Sequence, residues 1–462
     1  MKLEDISINV PDQVKYAIPK VPESVNTNKR IDWLAYKLRK FCLLPWLNLN
    51  TNPNGFVKLC CNIQMDHFVA KDGTPFNMGY HDIEDIWNSM YMQNVRNQHR
   101  QNNGSDECTD CYKIEKISGH SPRMGQHVLW LHKKEQDTEL RDFFVKISQE
   151  DLCSNLDQLP ISLELRLGNQ CNLKCVTCWG MSSSLVQNER IDIVNKEILK
   201  EYNLNWLDSK WREEIKVVEN TELTEWYETD KFYENFRKMA PKLRRLYTTG
   251  GEPTIIKSNY RALEMMLEAG NKSCSIEFTS NMTTWNPKFY DALKQFENVE
   301  IQMSIDGIDE IGEYIRYPSK FETVKENIFR AVELASKNPN WRIKIFTVLQ
   351  ALNYKELIPI WDLISEVANK YKKHIDWWPI SLHSPSYLSL GAISINERLD
   401  YIPTILEGVK KFSDPTKPFC LGKATVEAYI DNLKNIPFDG DLQTQFNDYI
   451  KFLNDYRKNY GS

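Results

Sequence analysis

Six strand-like apolar runs with helical stretches between them predict an α/β protein built on a parallel sheet. Two further observations bound it: a small cysteine-bearing region with hairpin and helix signals precedes the first run, and a helical, mixed-charge tail follows the last. The runs are 161–168, 243–249, 273–280, 299–305, 341–349 and 374–380, and the helical stretches lie near 182–202, 255–269, 286–296, 320–337 and 354–371. The last two place apolar residues at i, i+3 and i+4, the spacing of one helix face. Strand and helix in repetition imply parallel pairing through right-handed crossovers. A complete eight-unit barrel is the alternative to six units, but the chain changes character after residue 380.

From the N-terminus, Met1 to Asp12 is polar and mixed in charge, without the apolar core of a signal sequence, and no run of eighteen apolar residues occurs. This predicts a cytoplasmic chain with no membrane partner, and residues 1–39 read as an extension. Cys42-Leu-Leu-Pro-Trp then leads into Asn52-Pro-Asn-Gly55 and Phe56-Val-Lys-Leu-Cys60-Cys61, a two-stranded hairpin with marked turn chemistry. A helical pattern from Ile83 to Arg100 follows, then Cys108-Thr-Asp-Cys111. Residues 131–160 read as a linker.

The first run of the sheet ends in Leu167-Gly-Asn-Gln-Cys171-Asn-Leu-Lys-Cys175-Val-Thr-Cys178-Trp179. The spacing C-x3-C-x2-C lets three thiolates from one loop converge on one metal cluster while supplying one ligand fewer than a four-cysteine set. A zinc knuckle or a chance group of buried thiols is the plainer reading. Such a zinc site usually takes a second pair, and no C-x2-C/H-x3-H partner follows Cys171. The segment 204–240, rich in Trp, Tyr and acidic residues, reads as an insertion stapled to the sheet by its aromatics, with a lid or substrate wall as the second reading. The second run ends in Thr248-Thr249-Gly250-Gly251-Glu252-Pro253. Glycines let backbone carbonyls approach a ligand closely, Pro253 fixes the exit, and Glu252 can support the loop or a bound ammonium. Alone, such glycines also mark ordinary turns.

Together, the cysteine motif and Gly-Gly-Glu-Pro resemble the radical S-adenosylmethionine (SAM) superfamily. The resemblance implies a partial (β/α)6 TIM-like barrel over 161–385 and a [4Fe-4S] cluster on Cys171, Cys175 and Cys178 that binds SAM at its open iron. It also places Gly250, Gly251, Glu252 and Pro253 at the methionyl amino group. The implied activity is reductive cleavage of SAM to methionine and a 5′-deoxyadenosyl radical that abstracts hydrogen from an unreactive C–H bond. Reactive residues of a parallel barrel gather at the C-terminal strand ends, which here carry the cysteine loop, the Gly-Gly-Glu turn, Ser280-Asn281, Ser304 to Gly307, Gln350 and Trp377-Trp378-Pro379. By resemblance Asn281, Ser304 and Asp306 contact the SAM ribose and carboxylate; capping or turn formation is the plainer reading of each. Glu313-Tyr-Ile-Arg316 resembles a segment found after the fourth strand of relatives, so Arg316 reads first as a surface arginine and second as a partner for the SAM carboxylate or the substrate. The chain departs from the family at Thr177, where an aromatic residue commonly precedes the last cysteine. The aromatic Trp179 follows it instead, leaving the adenine contacts unassigned.

The spacing C-x12-G-x4-C, then C-x2-C, resembles half of a SPASM auxiliary-cluster domain, or the shorter twitch domain, here placed before the barrel over residues 40–130. That resemblance implies a second iron-sulfur cluster on Cys42, Cys60, Cys108 and Cys111. A four-cysteine zinc site is the alternative, because ligand count alone does not separate the two. Consecutive side chains on a strand point to opposite faces, so one of Cys60 and Cys61 faces the cluster, and the Gly-x4-Cys spacing selects Cys60. Cysteines 153, 274 and 420 carry no motif and read as buried small hydrophobes. Residues 386–462 read as a helical extension that caps the barrel or binds a partner.

With 462 residues, 26% of them charged, and a net charge of −5, the chain can bury a large core and offers no basic field to nucleic acid. Eleven cysteines in this length are too sparse for a secreted disulfide scaffold, and their short motifs suit metal binding in a reducing compartment. The expected partners are an electron donor such as flavodoxin or ferredoxin and a peptide or small-molecule substrate. No catalytic side chain is singled out. Two other classes remain: an iron-sulfur electron-transfer protein without SAM turnover, and a zinc-stapled binding protein.

Overall fold

The computed structural model describes residues 29–63, 67–70, 72–118, 121–149, 156–220 and 224–460. The chain divides into two compact units, Met1–Glu164 with Trp226–Leu243, and Leu165–Glu225 with Arg244–Ser462. The first holds α1 (Arg30–Lys37), β1 (Asn48–Thr51), β2 (Val57–Lys58), α2 (Ile83–Trp87), α3 (Met90–Arg100), α4 (Thr109–Ser118), α5 (Pro122–Gln136), α6 (Thr138–Gln149) and the start of β3 (Ser162–Arg166). The second takes the end of β3, then α7 (Ser184–Asn195), α8 (Ile198–Glu201) and α9 (Asn205–Asn220). After α10 (Asp230–Met239), which belongs to the first unit, it continues through β4 (Arg245–Thr249), α11 (Lys257–Glu268), β5 (Ser275–Ser280), α12 (Pro287–Leu293), β6 (Asn298–Ser304) and α13 (Asp309–Ile315). It ends with α14 (Phe321–Ser336), β7 (Arg342–Leu349), α15 (Leu357–Tyr371), β8 (Ile375–Ser381), α16 (Ile395–Lys411), α17 (Lys423–Asn435) and α18 (Gly440–Tyr460).

In the first unit the hairpin forms where its turn residues predict it. Gly55 N–H donates to Asn52 O, Gly55 sits at φ +84°, and β1 pairs antiparallel with β2 in the register Asn50 to Lys58. β1 also runs parallel to the start of β3, Asn48 opposite Ser162. A Cβ on Gly55 would stand 2.5 Å from the Trp226 ring, so the glycine leaves the space in which that fully buried indole lies. The expected helix 83–100 is two helices, because the Ser89 hydroxyl caps α3 by accepting from Met92 N–H. Residues 131–149 are not a linker: they finish α5 and form α6, whose Leu140, Phe143, Phe144 and Ile147 make a buried i, i+3, i+4, i+7 stripe.

In the second unit β3 to β8 lie in sequential order, and β4 to β8 pair in parallel. All six expected strands are present within about two residues of their expected bounds, with helices between them. On β7 the odd positions Ile343, Ile345, Thr347 and Leu349 are buried, while Lys344, Phe346 and Val348 are only half-buried and Arg342 is exposed. One sheet face therefore packs on helices and the other carries polar and aromatic groups. Trp377, Trp378 and Pro379 lie inside β8 rather than past its end. The insertion divides: Leu207 and Trp211 of α9 pack with Tyr449, Phe452 and Leu453 of α18, whereas 226–243 joins the first unit. Its aromatics thus meet the C-terminal helix and the β1–β2 hairpin.

Candidate functional site

The loop after β3 carries Cys171, Cys175 and Cys178, all free and half-buried. Backbone bonds hold it on both flanks. Lys174 N–H donates to Tyr317 O at 2.6 Å and Val176 N–H to Ile315 O at 2.9 Å, which sets Arg316 opposite Cys175. The Ser183 hydroxyl donates to Leu173 O at 2.7 Å, and Arg190 Nη2 donates to Cys178 O at 2.7 Å. Burial pushes the Cys175 thiol up to about 12 and Cys178 up to about 11; Cys178 and Cys171 push Cys175 further and Cys171 pushes Cys178, while Arg316 opposes the rise at both. Burial also raises Cys171. Three thiolates on the one loop 171–178 would need a cationic centre to coexist, as a metal cluster provides.

The Gly-Gly-Glu turn grips this loop. Glu252 N–H donates to Gln170 O at 2.9 Å and Gly251 N–H to Ser182 O at 3.2 Å. Gly251 has φ +55°, and a Cβ there would meet Gln170 O at 2.0 Å, so no larger residue fits. The Glu252 carboxylate is buried and accepts from Asn281 N–H at 2.7 Å, Thr254 N–H at 3.1 Å and the Thr254 hydroxyl at 2.7 Å. It ties the end of β4 to the end of β5. Pro253 O accepts from Asn259 at 3.0 Å and so turns the chain into α11.

Asn281 and Asp306 lie at strand ends, but their polar groups are engaged within the protein. Asn281 donates to Asn172 Oδ1 at 2.9 Å and accepts from the Thr283 N–H and hydroxyl, so it braces the residue next to Cys171. Asp306, 1% exposed, accepts from Val348 N–H at 2.7 Å and pairs with Arg316 Nη2 at 2.7 Å. Arg316 is accordingly no surface arginine: its side chain is 16% exposed, and its Nε is buried with no hydrogen-bond partner among the described residues. Ser304 ends β6, half-buried. Gln350, just past β7, is fully buried, and Trp179 is 42% exposed. The sequence did not point to Arg190 or Glu214, whose ion pair connects α7 to α9 behind Cys178. No motif marks either, since only the fold brings the insertion to the loop.

 In the first unit, Cys42, Cys60, Cys61, Cys108 and Cys111 line one cavity of about 520 Å³. Cys42 follows the loop after α1, Cys60 follows β2, and Cys108 and Cys111 stand at the start of α4, where the helix dipole favours thiolates. Asn48 Nδ2 donates to Leu59 O at 2.8 Å, which fastens the Cys60 segment to β1. Arg123 forks onto Glu115 at 2.9 and 2.7 Å and donates to Phe41 O, so it joins α5, α4 and the neighbour of Cys42. Burial pushes Cys42 up to about 12 and raises Cys60, Cys108 and Cys111, and the cysteines raise one another. Both Cys60 and Cys61 reach the cavity wall, Cys60 half-buried and Cys61 exposed. His99 adds a ring nitrogen 3.7 Å from Cys108 Sγ. Cys274 is buried as expected, Cys420 is only half-buried, and Cys153 lies outside the described residues. Among the described residues, no three His, Cys, Asp or Glu side chains are gathered as a single-ion site, and no helix is long and apolar enough to cross a membrane.

Residues 165–364 match the family model of the radical SAM superfamily, and residues 42–112 match that of an iron-sulfur cluster-binding domain, SPASM. The sporulation killing factor maturation protein SkfB of Bacillus subtilis (strain 168) is 25% identical over 158 residues, 34% of this chain and 29% of that protein. The match thus spans under a third of the relative's length. Among solved structures, Streptococcus suis SuiB bound to S-adenosylmethionine is 14% identical, with a TM-score of 0.33 over 68% of this chain and 64% of that one. SuiB bound to precursor peptide SuiA is also 14% identical, with a TM-score of 0.31 over 68% and 63%.

Proposed function

From a radical SAM domain that follows an iron-sulfur cluster-binding domain in one chain, we propose an enzyme that reductively cleaves SAM and removes a hydrogen atom from a peptide substrate. The observation that carries this reading is the grip of Gly250-Gly251-Glu252 on the three-cysteine loop, which joins the two motifs in one site. Cys171, Cys175 and Cys178 would hold the first cluster, and Cys42, Cys60, Cys108 and Cys111 the second. When bound, the first cluster and SAM supply reductive homolysis of a carbon–sulfur bond and hydrogen abstraction from an unreactive C–H group. The chain's own residues do the rest. Glu252, Asn281 and Asn172 keep the loop and the strand ends in register, Asp306 holds Arg316 opposite Cys175, and the backbone at Gly250 and Gly251 would receive the methionyl ammonium. Asn281 and Ser304 are the strand-end groups we assign to the SAM side of the site.

The peptide preference is supported by the likeness to SkfB, a sporulation killing factor maturation protein. We also place the chain in the cytoplasm, with flavodoxin or ferredoxin as electron donor, since all ten described cysteines are free thiols. The test is anaerobic turnover with SAM, reduced flavodoxin and candidate peptide or metabolite pools in deuterated water. We expect 5′-deoxyadenosine, formed faster with a peptide and accompanied by a mass change in it. Faster formation only with a metabolite fraction would refute the peptide preference. Verified clusters without any 5′-deoxyadenosine would leave an electron-transfer protein instead.

A further inference from the structure

Two arginines flank the three-cysteine loop from different elements, and each is held by an acid that is not a cluster ligand. Arg190 on α7 is 8% exposed, ion-paired to Glu214 of α9, with its guanidinium 5.1 Å from the Trp211 ring and Nη2 on Cys178 O at 2.7 Å. Arg316 follows α13, faces Cys175 across the backbone pairing of 174–176 with 315–317, and is ion-paired to Asp306 at 2.7 Å. Its buried Nε has no acceptor among the described residues, and a buried N–H left unsatisfied is destabilising. An anionic sulfur centre on the facing cysteine would supply such an acceptor.

We propose that Arg190 and Arg316 are positioning residues that raise the reduction potential of the cluster held by Cys171, Cys175 and Cys178. The inference rests on the cluster assignment above but not on turnover or on the substrate. Reduction moves one electron from a reduced flavodoxin or ferredoxin to the cluster, with no bond made or broken. The thiolates already make the cluster anionic, so the added charge is disfavoured in a low-dielectric site unless fixed cations stand beside it. Two buried guanidiniums meet that need, and Glu214 and Asp306 moderate them. The insertion helix α9 therefore tunes the cluster through Arg190.

The experiment is a potentiometric titration of the full chain, reconstituted anaerobically without SAM and followed by electron paramagnetic resonance, in a background where Cys108 and Cys111 are Ala so that the first cluster is observed alone. Arg190→Gln and Arg316→Gln should each lower the reduction equilibrium constant about tenfold, about 59 mV for a one-electron couple. Arg190→Lys and Arg316→Lys should restore most of that shift. Glu214→Gln and Asp306→Asn should move the potential the other way, which general loosening of the loop does not predict. A potential unchanged in both Gln variants, or displaced in the same direction by acid and base variants alike, overturns the proposal. So does an Arg316 effect that appears only when SAM is added, because the partner of Nε is then SAM. Absence of iron from the parent chain would instead refute the cluster assignment itself.

Discussion

Gly251 occupies the least forgiving backbone position beside the cysteine loop, since a Cβ there lands 2.0 Å from Gln170 O in a left-handed conformation. Gly251→Ala should displace the loop, cost about 1–3 kcal/mol from backbone strain alone, and lower iron retained after reconstitution, read by thermal melting and iron analysis. A second residue-scale expectation concerns protons. Burial lowers His99 to about 4 and His127 to about 3, from an ordinary value of 6.5, so the folded chain binds these protons less readily than the unfolded one. Stability is therefore intact above about 6.5 and falls as pH drops from there toward the folded values, by about 1.4 kcal/mol per pH unit per histidine. Denaturant midpoints of the metal-free chain between pH 7 and 5 check this, and His127→Gln should remove a good part of the slope. Equal slopes in the two proteins would show that His127 titrates normally.

Helices and turns fail in ways that report which unit they serve. Trp226 is fully buried against Gly55, and its Nε1–H donates to Pro53 O at 2.9 Å. Trp226→Ala should cost about 3–5 kcal/mol and act on the first unit, where hydrogen exchange of β1 and β2 amides would rise. Phe452 of α18 is fully buried with Leu207 and Trp211 of α9. Phe452→Ala should destabilise by a similar about 3–5 kcal/mol, but with faster exchange in α9 and α18. Exchange spread evenly over both units after either change would show that these helices do not belong to separate cores.

Across the whole molecule, the two cysteine sets predict two [4Fe-4S] clusters, roughly eight irons per chain. Replacing Cys171, Cys175 and Cys178 by Ala should leave about half of that iron and a resonance spectrum that ignores SAM; replacing Cys108 and Cys111 should also leave about half, but with the SAM response intact. One zinc with four irons would assign the first unit's site to zinc. The cavity there is lined by five cysteines where a single cluster needs four protein ligands, so Cys61→Ala should change the iron content little and Cys60→Ala should reduce it.

The strands, the hairpin and both cysteine sets were legible in the sequence because each rests on local terms: runs of apolar residues, turn chemistry at Asn52 to Gly55, and ligands close together along the chain. The helices at 131–149 were missed because the region was read as a joint between domains, although Leu140, Phe143, Phe144 and Ile147 carry a helical stripe. What the strand-end residues do was not legible. Glu252, Asn281 and Asp306 look alike as polar groups after strands, yet the structure commits each to a particular neighbour, and Arg316 is taken off the surface by its pairing with Asp306. Nor does any local pattern divide the insertion at 226 or bring Glu214 to Arg190. Spacing along a chain determines which atoms can converge on a nearby point, whereas burial and charge partners depend on segments distant in sequence, and those meet only when the fold closes.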